Sequence, residues 1–256
     1  MRLLNLPLML LAMSLTACAS VKNPNPADPF EAFNRGVFSV NDRLDKIALK
    51  PLAQGYDYAV PTVGKIMVHN FFSNLDDVVV TANDLLQLKF KQGFSDAARV
   101  IFNSTFGIFG LIEITTRLEK HHEDFGQTLG YWGVPSGPYL MLPLLGPSSV
   151  RDGLGVAVDT LPSQMKQIKP VTARNTAYAV KIVDVRAGLL SAEKLLDDSG
   201  LDRYDFLRGA YLERRQSLVY DGDPPKQKYD DEDFDDTPDS TDSSPAKPAP
   251  ATSTTQ

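Results

Sequence analysis

Few side chains in this sequence have the type and spacing that chemistry needs, and the first of them is a cysteine. Cys18, the sole cysteine, follows Leu15-Thr16-Ala17, and before these lies an apolar run over residues 3–15 that begins just after Arg2. A charged start, a short apolar stretch and small residues ahead of a cysteine form the layout of an export signal. Leu15-Thr16-Ala17-Cys18 resembles a lipobox, where cleavage leaves the cysteine as a lipidated N-terminus. An ordinary cleaved signal that happens to contain a cysteine is the other reading. With Cys18 used there, no disulfide, thiol nucleophile or cysteine-based metal site is available elsewhere. Ala19-Ser20 lack the aspartate that commonly retains such lipoproteins at the inner membrane, which by analogy favours the outer one.

Other candidate chemistry is thin. The three histidines are His69, His121 and His122. Lys120-His121-His122-Glu123-Asp124 lacks the His-Glu-x-x-His spacing that puts two ligands on one helix face, so it reads as a solvated polar linker. Ser136 and Ser148-Ser149 lie in Pro/Gly contexts without a G-x-S-x-G elbow. The paired acids Asp76-Asp77 and Asp197-Asp198 suit helix-start capping and the helix dipole better than catalysis. No glycine loop followed by lysine is available to cradle a phosphate. The residues therefore point away from an enzyme: no catalytic residue, no metal ligand and no cofactor is expected.

The elements that would position anything else are helical. Asp28-Pro29-Phe30-Glu31 has an N-cap, a first-turn proline and a reciprocal acid, so a helix is expected from Asp28. Phe30, Phe33, Val37, Val40, Leu44 and Ile47 form its apolar stripe, with Asn34, Arg35, Asp42 and Lys46 on the polar face. Pro51 and Pro61 delimit a second helix, Thr62 caps a third, and further helices cover residues 75–90 and 94–106. Residues 100–112 carry no charge, which suits an interfacial or buried helix pair, although a soluble helical core has the same periodicity. Ser148 caps a short helix through Val158. A long helix over residues 171–196 has Val180, Val183, Leu190 and Leu195 as core candidates and ends near Gly200. The last helix spans residues 202–220, with a basic face of Arg208, Arg214 and Arg215. The class is all-α.

Residues 125–150 stand apart: 26 residues without a charge in a chain that is 23% charged. Glycines 126, 130, 133, 137 and 146 and prolines 135, 138, 143 and 147 rule out a continuous helix there, so the stretch folds back on itself. Gly133 and Gly137 are expected to flank a turn stiffened by Pro135 and Pro138, a hinged hairpin. Tyr131, Trp132, Tyr139 and Met141 then offer amphipathic surface, or else simply core. Composition leaves open whether this apolar turn sits inside a helical frame at membrane depth or in an ordinary soluble core.

The chain divides into a signal (1–17), a tether (18–27), a helical domain (28–220) and a tail (221–256). Residues 18–220 hold 22 acidic and 22 basic residues, whereas residues 221–242 hold ten acids and two lysines. The tail has too little apolar surface to offset the entropy of ordering and is expected to be disordered. A charge-balanced body argues against a nucleic-acid partner, which needs a concentrated basic face.

Four separated motifs, in order, resemble the VacJ/MlaA family of outer-membrane lipoproteins. They are Asp28-Pro29-Phe30-Glu31-Ala32-Phe33-Asn34-Arg35; Asn70-Phe71-Phe72-Ser73-Asn74-Leu75; Arg99-Val100-Ile101-Phe102-Asn103-Ser104-Thr105-Phe106-Gly107; and Asp124-Phe125-Gly126-Gln127-Thr128-Leu129-Gly130 with Gly137-Pro138-Tyr139 and Leu142-Pro143. The resemblance implies a helical ring seated in the inner leaflet of the outer membrane, lipid-anchored on the periplasmic side around an amphipathic pore. It implies removal of phospholipid that has strayed into the outer leaflet, with trimeric porins and a periplasmic lipid-binding carrier protein as partners. It makes Asp28, Pro29, Phe33, Asn34, Arg35, Asn70, Phe71, Asn74 and Leu75 motif residues, and Gly133, Pro135, Gly137, Pro138 and Tyr139 part of the lipid path. Relatives often have Gly-x-Gly before Pro-Tyr where this chain has Pro135-Ser136-Gly137, which stiffens the loop. A lipid hydrolase of unrecognised pattern and an envelope tether are the other readings.

Cys18→Ala is expected to abolish lipidation and to lower activity, because the body loses its hold on the membrane. Mass spectrometry of the mature N-terminus is the check, and an unacylated wild-type terminus would refute the anchor.

Overall fold

The computed structural model describes residues 25–225, so Cys18, the signal, most of the tether and nearly all of the tail lie outside the described residues. Among the described residues helix dominates, joined by one short hairpin. Helix α1 (Glu31–Leu44) passes through a π-helical turn (Asp45–Leu49) into α2 (Lys50–Ala59). Pro51 thus begins no separate rod. It stands in the first turn after the π segment, where its missing N–H is tolerated. Past Pro61, α3 (Thr62–Leu86) runs unbroken for 25 residues through what periodicity divides in two, packed against α4 (Phe90–Thr105). Then come α5 (Phe125–Tyr131), β1 (Tyr139–Leu142), β2 (Gly146–Ser149), α6 (Val150–Asp159), a 3-10 turn (Gln164–Gln167), α7 (Val171–Gly188), α8 (Leu190–Ser199) and α9 (Arg203–Val219).

Local chemistry fixes several helix ends. Asp124, Ser149 and Asp202 cap α5, α6 and α9 by accepting the backbone N–H of Gln127, Asp152 and Asp205 at 2.9, 3.1 and 2.9 Å. Gly200 ends α8 in the left-handed region at φ +69°. Other expected caps are corrected. Ser148 is still paired with Leu140 in the hairpin, so the cap falls one residue later. Thr62 is the first helical residue after Pro61 and makes no side-chain cap. The expected helix over 171–196 is two helices, breaking at Leu189. Asp197-Asp198 occupy the last turn of α8 and cannot serve a helix start. Asp77 lies buried in the middle of α3.

Polarity is arranged inside out. The apolar stripe through α1 and the π turn faces mostly outward, with Phe33 56% and Ile47 78% exposed and Val37 half-buried against Tyr139, Met141 and Tyr204, while the one buried side chain of α1 is Asn34. In α7 and α8, Val180, Val183 and Leu190 are half-buried and Leu195 is exposed, yet Asp184 and Glu193 are buried. Residues 100–112 form no helix pair: α4 stops at Thr105 and turns follow, exposing Ile101, Phe102, Phe106, Ile108, Phe109 and Ile112. Among the described residues, seven hydrophobic side chains are buried against twenty polar or charged ones, the reverse of a water-facing domain.

Such an interior holds only if its charges are matched. Arg99, 2% exposed, has Nε 3.5 Å from Asp77 and 3.7 Å from Asp96, and its guanidinium donates to Glu113 at 2.8 Å and to the Leu118 carbonyl at 2.9 Å. Lys120 lies 3.2 Å from Asp77 and His121 2.7 Å from Asp96. The segment over residues 120–124 is therefore packed against α3 and α4 rather than solvated, with Glu123 buried and bound by Gln87 at 2.8 Å and Lys89 at 3.0 Å. Arg99→Met would leave Asp77 and Asp96 without their central cation. It is expected to cost about 3–5 kcal/mol in urea unfolding, and a loss within 1 kcal/mol would contradict the central role.

Candidate functional site

The hairpin is held by two asparagines from α1. The Asn34 side chain donates to the Tyr139 carbonyl at 3.1 Å and accepts from the Met141 N–H at 2.8 Å. Two helical turns later, Asn41 donates to the Leu142 carbonyl at 3.0 Å and accepts from the Leu144 N–H at 2.9 Å. Each amide supplies one donor and one acceptor, so the pair covers the open edge of β1 as a neighbouring strand would. Asn34 also donates to Asp28 at 2.7 Å. Asp28 is thus no helix cap. Its buried carboxylate accepts from Asn34, the Tyr204 hydroxyl and Arg208, while the start of α1 has no side-chain cap.

Tyr139 and Met141 form a small core with Tyr204. Arg35 stacks 4.3 Å from the centre of the Tyr204 ring and pairs with Glu31 and Asp205 at 2.7 and 2.9 Å. Burial, then the Asp28 hydrogen bond, pushes the Tyr204 hydroxyl far above the ordinary phenol range, so it stays a donor. The structure therefore brings Asp28, Asn34, Arg35 and Tyr139 together, while Pro29 and Phe33 face outward. Two of the three arginines of the basic face of α9 point inward: Arg208 serves Asp28 at 3.2 Å, and Arg215 serves Asp124 and, at 2.9 Å, Asp152, whereas Arg214 is exposed.

The second motif holds a different loop. Asn70 donates to the Leu111 carbonyl at 3.4 Å and Asn74 to the Ser104 hydroxyl at 2.9 Å, while Phe71 and Leu75 are half-buried. Gly110, at φ +86°, lies where a Cβ would come 2.7 Å from Asn74. The turn before it puts Ile108 and Phe109 in the left-handed region, at φ +53° and +56°, with Phe109 78% exposed. Holding two bulky apolar residues in that conformation at the surface is costly in water.

The expected turn between Gly133 and Gly137 is corrected: the hairpin turns at Pro143-Leu144-Leu145, and residues 133–138 form the loop leading into β1. Gly133 and Gly137 do have positive φ, +88° and +69°, which only glycine adopts without strain. Arg151, missed in the sequence reading, ties this loop to α6. Its side chain donates to the Val134 carbonyl at 3.2 Å and its backbone N–H to the Ser136 carbonyl at 3.1 Å. Tyr131, Trp132 and Pro135 are exposed, Pro138 is half-buried, and Tyr139 is core. Beside the hairpin lies a cavity of about 370 Å³, with Phe38, Met141, Leu189 and Phe206 as apolar wall and Arg186 and Glu193 as a paired polar rim. That combination accommodates an amphipathic molecule.

At residues 26–218 the chain matches the profile of the MlaA lipoprotein family. It is 32% identical over 195 residues to an uncharacterized protein of Rickettsia bellii, covering 75% of this chain and 76% of that one. It is 31% identical over 225 residues to the intermembrane phospholipid transport system lipoprotein MlaA of Shigella flexneri, covering 84% and 88%. A solved structure described as the structural basis for maintenance of bacterial outer membrane lipid asymmetry superposes with a TM-score of 0.66 at 31% identity, covering 75% of this chain and 98% of that one.

One buried acid gives the polar interior a pH signature. Burial, reinforced by the neighbouring Asp96 carboxylate, pushes Asp84 up to about 7 from an ordinary 3.8. Neither oxygen of Asp84 accepts a hydrogen bond, so no donor compensates its buried charge. The folded chain then keeps a proton that the unfolded chain releases, so this stability is present below pH 4 and lost as pH rises to 7. Asp84→Asn is expected to remove that dependence, gaining about 2–4 kcal/mol over wild type at pH 8 and little at pH 4. Urea midpoints at the two values are the check, and equal differences would refute it.

Proposed function

Because this chain belongs to the MlaA lipoprotein family, we propose that it is anchored through Cys18 on the periplasmic side of the outer membrane and clears phospholipid that has strayed into the outer leaflet. The observation that carries this reading is the inverted polarity, a charged interior inside a surface of exposed Phe, Ile, Leu and Val. In water that surface is a liability, whereas against acyl chains it is favourable. Among the described residues no helix is long and apolar enough to cross a membrane.

A headgroup pulled through hydrocarbon loses its hydration at a cost of several kcal/mol or more. A protein that offers polar groups inside and apolar groups outside gives each end of the lipid a suitable surface. Such transfer requires no covalent step, so we propose a conduit rather than a catalyst. Direction comes from the affinity of the acceptor, a soluble periplasmic lipid carrier, and trimeric porins provide the lateral seat. Asp221, at the start of the acidic stretch, pairs with Lys89.

The test is the outer-leaflet phospholipid content of cells lacking the protein, expected to rise and to return to normal with a plasmid-borne copy. An unchanged outer leaflet would overturn the reading. The loop over residues 133–138 is proposed as the moving wall of the path. Proline fixes φ near −65°, so Gly133→Pro or Gly137→Pro forces the loop out of its positive-φ course. Either is expected to lower complementation while the protein stays folded and lipidated, and full clearance by both would leave the loop without a gating role.

A further inference from the structure

Helices α3 and α7 border a series of open grooves along their seam. The largest, about 630 Å³, is walled by Val68, Phe71, Phe72, Leu111, Ala177 and Val180. Phe72 also lines a second space of about 150 Å³, whose other walls include Ser73, Asp76, Asp77, Lys120, Lys181 and Asp184. Phe72 therefore lines both an open apolar groove and a smaller charged recess. The first is of the size that ligand sites occupy, and the second suits a small polar group.

The charged chamber is built to bind. Lys181 pairs with Asp76 at 2.5 Å, and Lys120 donates to the Ser73 hydroxyl and lies 3.2 Å from Asp77. An ammonium has three donors, so these contacts leave donors on both lysines. Asp77 is 1% exposed, yet neither of its oxygens accepts a hydrogen bond, even with Lys120 and Arg99 nearby. Asp184 accepts from the Tyr56 hydroxyl at 2.9 Å and lies 3.3 Å from His69 Nδ1, which fixes its orientation. Two lysines, with Arg99 behind Asp77, face three carboxylates here, so the charges balance. A site for an anion alone needs surplus cations, whereas this set matches a ligand that carries both a phosphate and an ammonium.

We propose that the α3–α7 seam binds one zwitterionic glycerophospholipid taken from the bilayer. Its phosphate rests on Lys120 and Lys181, its ammonium faces Asp77 and Asp184, and an acyl chain fills the chamber lined by Phe71, Phe72 and Ala177. This rests on the transport reading above and adds a location and a headgroup preference to it.

The test uses the purified full chain in detergent, incubated with vesicles of equal phosphatidylethanolamine and phosphatidylglycerol, with bound lipid identified by mass spectrometry. Wild type is expected to retain phosphatidylethanolamine about fivefold over phosphatidylglycerol. Lys181→Gln and Asp184→Asn are each expected to erase that preference, with about a fivefold to tenfold loss of the bound zwitterion. Ala177→Trp, which fills the apolar chamber, should reduce both lipids. Circular dichroism confirms that each variant is folded. Unchanged amounts and ratio in all three variants, with wild type still carrying lipid, would overturn the seam and leave the conduit standing. Equal retention of both lipids by wild type would overturn the headgroup preference. Binding of soluble glycerophosphoethanolamine that survives Ala177→Trp would mean a site for a free phosphoester, not a lipid. No lipid on wild type, together with a normal outer leaflet in cells lacking the protein, would sink the transport reading itself.

Discussion

Two side-chain amides on one helix hold the backbone of a strand, and much of the architecture depends on that arrangement. Asn34 and Asn41 stand two turns apart on α1 and together engage Tyr139, Met141, Leu142 and Leu144. An isolated two-stranded hairpin is marginal in water, so β1 needs these partners as much as it needs β2. Directing the asparagines inward turns the apolar stripe of α1 outward. Asp28, Tyr204 and Arg208 then complete the hydrogen bonding around Asn34 and tie the start of the domain to its last helix.

The same trade recurs through the body. Arg99, Arg215 and Glu193 each sit among several opposite charges, which compensates for burial that would be prohibitive for a lone ion. Three paired cations hold Glu193 at about 2, despite the upward push of burial. Asp124 and Asp152 are likewise held below the ordinary range, against burial, chiefly by Arg215. Burial raises Asp77, Glu123 and Asp159 against the pull of neighbouring donors, and Asp84 differs from them because its largest influence after burial is another carboxylate, which suppresses its charge further. The interior thus combines matched ions with one carboxyl whose charge is suppressed, a polar frame rather than an oily core.

A polar frame with an apolar coat is well suited to handling a molecule with one polar end. The exposed Ile108 and Phe109 turn, the hairpin tip at Leu144 and Leu145, and the outer face of α1 all present hydrocarbon. The space beside the hairpin combines apolar walls with charged residues, and between α3 and α7 an apolar groove and a charged recess both border Phe72. Their charges are already oriented by neighbours, so a headgroup entering them would meet groups that need little reorganisation.

Sequence alone was enough for the class and for the family. The helical periodicities, the end at Gly200 and the four ordered motifs depend on near neighbours or on residue identity, and these are local properties. The helix periodicity of α1 was legible too, but not its direction, because a stripe of Phe, Val and Ile looks the same whether it meets a core or a lipid. Tertiary structure decided which face turned inward, placed the hairpin at Tyr139–Leu142 and Gly146–Ser149, and made a structural centre of Asp28, which its neighbours mark as a helix cap. It also gathered Asp77 of α3, Lys120 of the following loop, and Lys181 and Asp184 of α7 around one space. The partners of Asn34, Arg99 and Arg215 include residues 14 to 107 positions away, or 63 to 91 for Arg215, and no local pattern encodes a hydrogen bond across such a distance.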